Sequence, residues 1–180
     1  MMKITLFGFA WSGTTTIAKM LCEKLDYTFM STWNIFRQYA QDAGMSVYEF
    51  ENTIAKHDPN FDIKLDTLVK EYWVSNDNFV FESRLAWHFI PDSMKVYLDC
   101  EREERYRRIQ EREKGKLEDI VFFNTRREEE LEKRYHEIYP DITFPPLKES
   151  FDIYLDVTDM HPDRIVEVLV EKIKKWDSTS

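Results

Sequence analysis

The apolar positions along the chain switch between two periods, and the switches mark out its elements. Lys3 to Phe7, "KITLF", is a short run of β-branched and apolar residues closed by Gly8, which predicts a buried strand. From Gly13 to Leu25 the spacing changes. Ile17, Leu21 and Leu25 recur every four residues with Ala18 and Cys22 beside them, the stripe of an amphipathic helix. "YTFM" predicts a second strand, ending at Ser31. Ile35, Phe36, Tyr39, Ala40 and Ala43 predict another helix, closed by Gly44. Val47, Phe50 and Ile54 keep helical spacing behind Ser46, a candidate N-cap with Glu49 three residues on, which is a capping box. Pro59 breaks that pattern, and Leu65, Leu68, Val69, Tyr72 and Trp73 mark a further helix.

In the second half, Asn78 to Glu82, "NFVFE", and Met94 to Asp99, "MKVYLD", read as strands. Glu101 to Lys114 is dense in charge but keeps Tyr106 and Ile109 apolar, and Gly115 interrupts it. A long, charged helical pattern follows to about Tyr139. "PDITFPP" reads as a loop and "FDIYLDV" as a last strand. Pro162 opens a final helix with Ile165, Leu169, Ile173 and Trp176 on one face. Five short strands alternating with helices predict an α/β fold, a five-stranded parallel sheet wrapped by helices. The helical segments 32–76 and 101–139 are longer than plain crossovers require and are candidate insertions flanking a cleft.

Composition narrows the class. A chain of 180 residues, 43% apolar and 15% aromatic, is sized for one domain with a packed core. No stretch approaches the ~20 apolar residues of a membrane span. The chain enters a strand directly, without the basic and apolar run of a secretory signal. Cys22 and Cys100 lie outside any CxxC pair, so neither a disulfide framework nor a zinc site is indicated, and the expected location is the cytoplasm. A net charge of −9 argues against a long nucleic acid as partner, while leaving room for a small anion gripped by a few focused arginines.

The candidate chemistry begins at "GFAWSGTTT", Gly8 to Thr16. A strand, then Gly-x4-Gly, then a hydroxyl residue opening a helix turns backbone N–H groups inward, and the helix N-terminus adds roughly half a positive charge, so a phosphate is favoured there. Thr15 stands where such a loop places the hydroxyl that ligates Mg²⁺. Thr14 stands where it places a lysine, and threonine brings a hydrogen bond without the charge. An ordinary strand–turn–helix corner is the alternative. Arg37 follows the second strand, and Glu82 and Arg84 follow the third. In an open parallel sheet, ligands gather outside the carboxyl ends of the strands. Glu82 is therefore expected near the loop, holding Mg²⁺ through water, and the two arginines are expected to grip a phosphate. Arg105, Arg108 and Arg112 share a helix face, with Arg126, Arg127 and Arg134 beyond Gly115. Among so many glutamates these read equally as a solvated helix laced by i,i+4 pairs, or as a mobile arginine lid. His57, His88, His136 and His161 show no metal spacing, and Trp33, Trp73 and Trp87 read as packing, with Trp33 and Trp87 adjoining the expected cleft.

Taken together the motifs resemble those of the archaeal-type cytidylate kinases, which are nucleoside monophosphate kinases of the P-loop class. "STWNIFR" resembles that family's S-x-G-x-x-F-R, "GMSVYEF" its GMS-x-x-EF and "DPNFDIKLD" its DP-x-x-D-x-x-x-D. "FVFESRLAW" is similar to VVLEGRLAG, and "RIQERE", "RREEELEKRY" and "IYPDI" follow in the family's order along nearly the whole chain. The resemblance implies a core with a monophosphate-binding insertion (32–76) and a lid (101–139), ATP and Mg²⁺ as cosubstrates, and phosphoryl transfer to CMP or dCMP by a monomer. Carried over by position, Gly8, Gly13, Thr14, Thr15 and Thr16 surround the ATP phosphates. Ser31, Arg37 and Arg84 hold the acceptor, Thr15 and Glu82 hold the metal, and Arg108, Arg112 and Arg127 stabilise the transferring group. The chain departs from the pattern at Thr14, at Trp11, Trp33, Ser83 and Trp87 in place of glycine, and at Asn34 in place of aspartate.

Overall fold

The computed structural model describes residues 2–58 and 60–177. Pro59, expected as a helix breaker, lies outside the described residues. Five strands, β1 Lys3–Phe7, β2 Thr28–Ser31, β3 Phe79–Glu82, β4 Met94–Asp99 and β5 Ile153–Asp156, form one sheet in the order β2-β3-β1-β4-β5. Every neighbouring pair is parallel. The helices are α1 Thr14–Leu25, α2 Thr32–Asp42, α3 Val47–Thr53, α4 Phe61–Ser75, α5 Ala86–Phe89, α6 Arg102–Glu113, α7 Leu117–Ile138 and α8 Pro162–Asp177.

The strands are apolar on both faces because helices cover both. Ile4, Leu6, Val80, Val96 and Leu98 join Ile17, Leu21, Ile165, Leu169 and Ile173 of α1 and α8 in one core. Phe7, Phe79, Phe81 and Tyr97 face the other way, into an aromatic core with Val69, Trp87, Tyr135, Phe144 and Phe151. Its rings meet mostly edge to face, as Phe7 on Tyr97 with centroids 4.8 Å apart, a geometry that adds to area burial. Two smaller cores lie apart from these. Phe36, Ala40, Phe50, Phe61 and Leu65 hold α2, α3 and α4 together. Tyr106, Ile109 and Ile120 close the seam between α6 and α7.

The capping box forms as expected: the Glu49 N–H donates to Ser46 Oγ at 3.2 Å, and the Ser46 N–H to Glu49 Oε2 at 2.9 Å. The Ser46 hydroxyl, donating to Glu49 Oε2 at 2.7 Å, and the Ser46 N–H hold the Glu49 carboxyl below its usual range. Two elements differ from the sequence reading. Helix α5 is too short to show a period. Trp176, placed on the apolar stripe of α8, is 40% exposed.

Candidate functional site

The site grows from the end of β1. Gly8 follows the strand, and a Cβ there would meet Ser12 Oγ at 2.4 Å, Thr14 Cγ2 at 2.6 Å and the Leu98 carbonyl at 2.8 Å, so only glycine lets the chain turn. The turn ends at Gly13, with φ 93°, which caps α1. Trp11 also sits at positive φ, 70°, where a bulky side chain is strained. Its indole packs against Tyr106, Ile109 and Ile120 and carries the Arg112 guanidinium 5.2 Å above the ring, so the strain is offset by burial in the α6–α7 seam.

Each carbonyl from Gly8 to Gly13 accepts a hydrogen bond. Gly8 O accepts from Arg84 Nη1 at 3.1 Å and Phe9 O from the Ser12 N–H at 3.1 Å. Ala10 O accepts from Arg105 Nη1 at 3.2 Å, and Trp11 O and Ser12 O from Arg108 Nη1, each at 3.4 Å. Gly13 O accepts from the Ile17 N–H at 3.1 Å, the first turn of α1. Three guanidinium groups thus hold the carbonyls from outside. Apart from the Ser12 N–H, the N–H groups of the loop, and those of Thr14, Thr15 and Thr16 that no helical carbonyl can reach, are left for a ligand. An anion there meets oriented dipoles, a helix N-terminus and three buried or half-buried positive charges.

The arginines are set by their own partners. Arg108 is held by Glu104, whose Oε1 accepts from its Nε at 2.8 Å, and by the Thr158 carbonyl at 3.1 Å. Hydrogen bonds from Arg107 and then Arg108 draw the Glu104 carboxyl down to about 2. Arg84 stacks over Phe9 at 5.8 Å, and burial lowers its guanidinium from the ordinary value. Arg105, only 4% exposed, lies 5.1 Å over the same ring and forks onto Glu128 of α7.

Glu82 ends β3 in register with Leu6 of β1 and Ser31 of β2. Its Oε1 accepts from Thr14 Oγ1 at 2.6 Å and from Thr15 Oγ1 at 2.7 Å. Its Oε2 is buried with no hydrogen-bond partner, as are Ser31 Oγ and Ser12 Oγ. An unpaired carboxylate oxygen beside a hydroxyl, at the mouth of an anion-binding loop, fits a hydrated Mg²⁺, an ion that binds through one or two carboxylates plus phosphate and water. Among the described residues no cluster of three or more His, Cys, Asp or Glu offers a self-contained metal cage.

Arg37 and Arg127, expected to meet the acceptor and the transferring group, make their contacts away from the loop. Arg37 is exposed on α2 and bonds Asn34. Arg127 lies over the Trp33 indole at 5.6 Å and reaches Glu51 of α3 at 3.4 Å. Trp33 is 39% exposed and stacks on Phe36, centroids 5.4 Å apart and planes 7° from parallel. Trp87 turns into the aromatic core against Phe151 and donates its indole N–H to the Arg84 carbonyl at 3.0 Å, so it fixes the turn that presents Arg84. Further contacts join α7 to α4: Arg134 Nε lies 2.8 Å from Asp62, and the Tyr139 hydroxyl donates to Asp66 at 2.7 Å. Burial pushes the Asp66 carboxyl up to about 6.

Comparison with known proteins bears on the family and the fold. Residues 4–137 match a family described as an AAA domain. A cytidylate kinase of Archaeoglobus fulgidus is 36% identical over 96% of this chain and 95% of its own. The chain belongs to the archaeal-type cytidylate kinase family. A second member, the cytidylate kinase of Methanobrevibacter smithii, is 33% identical over 96% of this chain and 99% of its own. The fold also matches the shikimate kinase of Bacteroides thetaiotaomicron, with a TM-score of 0.62 and 16% identity over 96% of this chain and 98% of that one. This member of the cytidylate kinase family therefore has the P-loop kinase architecture, and as a class such kinases work on ATP with Mg²⁺. No helix among its described residues is long and apolar enough to cross a membrane.

Proposed function

We propose that the protein transfers the γ-phosphoryl group of ATP to CMP or dCMP. The observation that carries this is the loop itself. Its carbonyls are turned outward onto Arg84, Arg105 and Arg108, and Glu82 waits at its mouth with a free oxygen. The names of the full-length relatives supply the acceptor.

In this reading the loop N–H groups and Thr14 to Thr16 bind the donor phosphates, and Thr15 and Glu82 would hold Mg²⁺ through water, an ion that would supply neutralisation of the phosphate charge. Segment 32–76, with Ser31, Arg37 and Arg84, receives the monophosphate. Segment 101–139 is the lid, and its Arg108, Arg112 and Arg127 stabilise the moving group. Transfer needs the two nucleotides in line and water excluded, and the acceptor phosphate is already anionic, so no general base is required. Arg84, Arg105 and Arg108 also stand in for the lysine that Thr14 replaces: from their hydrogen bonds to the loop carbonyls they raise the potential at the donor phosphates. The enzyme acts as a cytoplasmic monomer on free nucleotides, in keeping with its acidic charge.

A coupled ADP-release assay with ATP, Mg²⁺ and a panel of monophosphates tests the proposal, with turnover expected for CMP and dCMP above UMP, AMP and GMP. Thr14 favours a second reading, a nucleotide-binding protein without turnover. That reading prevails if ATP binds and no acceptor, on a panel extended to small hydroxylated metabolites, is phosphorylated.

A further inference from the structure

We infer that Arg105 is a positioning residue that couples the donor loop to the cover of the acceptor site, through Glu128 on α7. The inference rests on reading Gly8 to Thr16 as the donor-phosphate loop. Arg105 is among the most buried charged residues of the chain, at 4% exposure. One of its nitrogens serves two segments at once: Nη1 donates to Ala10 O in the loop at 3.2 Å and to Glu128 Oε1 at 2.5 Å, while Nη2 reaches Glu128 Oε2 at 3.5 Å. The plane of the group lies over Phe9, one residue before the carbonyl it holds. Only a guanidinium has the fork and the flat face to make all of these contacts together; a lysine is a point charge on a flexible stem.

Stability does not explain the pair. A buried ion pair adds little over packed apolar side chains, and here Arg105 Nε is buried without a partner. What the pair supplies is a fixed distance between the loop and the middle of α7. The residue just before Glu128 makes that useful. Arg127 precedes Glu128 and points elsewhere on the helix, onto Trp33 and Glu51 of the 32–76 segment. Two successive residues of α7 thus touch the donor side and the acceptor side. When phosphates fill the loop and fix Ala10 O, Arg105 holds Glu128, and Arg127 is held over the acceptor. Donor binding in this way orders the acceptor cover.

Hydrogen exchange with and without Mg·ATP tests the coupling, on the wild type and on Glu128→Gln, Arg105→Lys and Lys133→Gln, with melting curves to verify folding. Lys133 is an exposed cation on the same helix and serves as control. In the wild type, Mg·ATP is expected to slow exchange in residues 9–13 and in residues 120–128 alike. Glu128→Gln should keep the loop's protection and an ATP affinity within about threefold of wild type, yet lose the protection of α7 and at least about tenfold in kcat/KM for the acceptor. Arg105→Lys should lose both protections and about tenfold in ATP affinity, and Lys133→Gln should lose neither. A purely structural pair would lower melting in every nucleotide state and leave the ATP-dependent difference intact. Full α7 protection in Glu128→Gln, or wild-type ATP affinity in Arg105→Lys, overturns the coupling alone. Failure of ATP to protect the wild-type loop removes the donor-loop reading and the coupling with it.

Discussion

Replacing Glu82 by glutamine separates what that side chain does for the fold from what it does for catalysis. In the folded protein Oε1 accepts from two threonine hydroxyls, at 2.6 and 2.7 Å, and an amide oxygen can do the same. Hydrogen bonds to a charged acceptor are worth about 1.5–3 kcal/mol each and neutral ones about 0.5–1.5, so the exchange loses about 2–3 kcal/mol over the pair. Against this, Oε2 is buried and unpaired. Leaving a charged atom in that condition costs about 1–3 kcal/mol or more, and the neutral amide lowers that cost, because an unpaired neutral N–H is cheaper to bury than an unpaired charge. The two effects nearly cancel, and the ligand-free melting temperature of Glu82→Gln should lie within about 5 °C of wild type. Activity should not be spared. An electrostatic contact that acts on the transition state is worth roughly 10²–10³ in rate, and the variant loses the carboxylate proposed to hold Mg²⁺. Melting curves and a coupled assay titrated with Mg²⁺ check both halves. The expected result is a near-native fold, a fall in kcat of at least about 10² and a higher Mg²⁺ requirement. Activity within about threefold of wild type at low Mg²⁺, or a melting temperature lowered by more than about 10 °C, refutes the assignment of Glu82 to the metal rather than to the fold.

Other perturbations probe the remaining parts of the site. Thr14→Lys puts an ammonium where the threonine hydroxyl now meets Glu82, and ATP affinity should rise about three- to tenfold by titration; unchanged or weaker binding counts against the placement of Thr14 at the phosphates. Trp33→Gly removes the indole under Arg127 and should change the KM for the monophosphate at least about fivefold while the KM for ATP stays within twofold; equal shifts in both would contradict an acceptor role. Asp66→Asn should show a pH-dependent sign. Burial raises the Asp66 carboxyl to about 6, so the native state binds the proton more readily than the unfolded chain, and this group's stabilisation is present below about pH 4 and lost as pH rises through 6. The asparagine variant should therefore gain up to about 3 kcal/mol on wild type at pH 8 relative to pH 4, read by chemical denaturation, and a difference that does not vary with pH would contradict the burial argument.

Most of the scaffold was legible in the sequence because it depends on short-range pattern. Buried strands of a two-faced parallel sheet are continuous apolar runs, and α1, α4 and α8 carry stripes at helical spacing. The Ser46–Glu49 box is local by nature and was readable from four residues. Helix α5 escaped because it has one turn and all but His88 of its residues are buried, so no polar face reveals a period. Trp176 escaped for the opposite reason: the periodicity of a helix continues past the point where its neighbour stops covering it.

The site was legible in its glycines and hydroxyls but not in its charges. Arg105 sits among alternating cations and glutamates, a pattern that also describes α6 residues such as Arg107, whose contacts are with Glu104 and Glu111 on the same helix. What distinguishes Arg105 is a carbonyl 95 residues away and a carboxylate 23 residues away, and no local spacing encodes either. Thr14 carries the same lesson. From the sequence it is a missing cation; in the fold it is a second hydroxyl on Glu82, supplied across 68 residues. The charge absent from the loop's interior is present behind it, in three guanidinium groups that grip the carbonyls. A backbone so held needs less ordering when a nucleotide arrives. A lysine must be ordered as the phosphates bind, whereas these arginines already hold the loop, so the arrangement trades a lysine's direct contact with the transferring group for preorganisation. That trade predicts tight donor binding with slower chemistry, and under the proposed mechanism the rate should then depend on Arg108, Arg112 and Arg127.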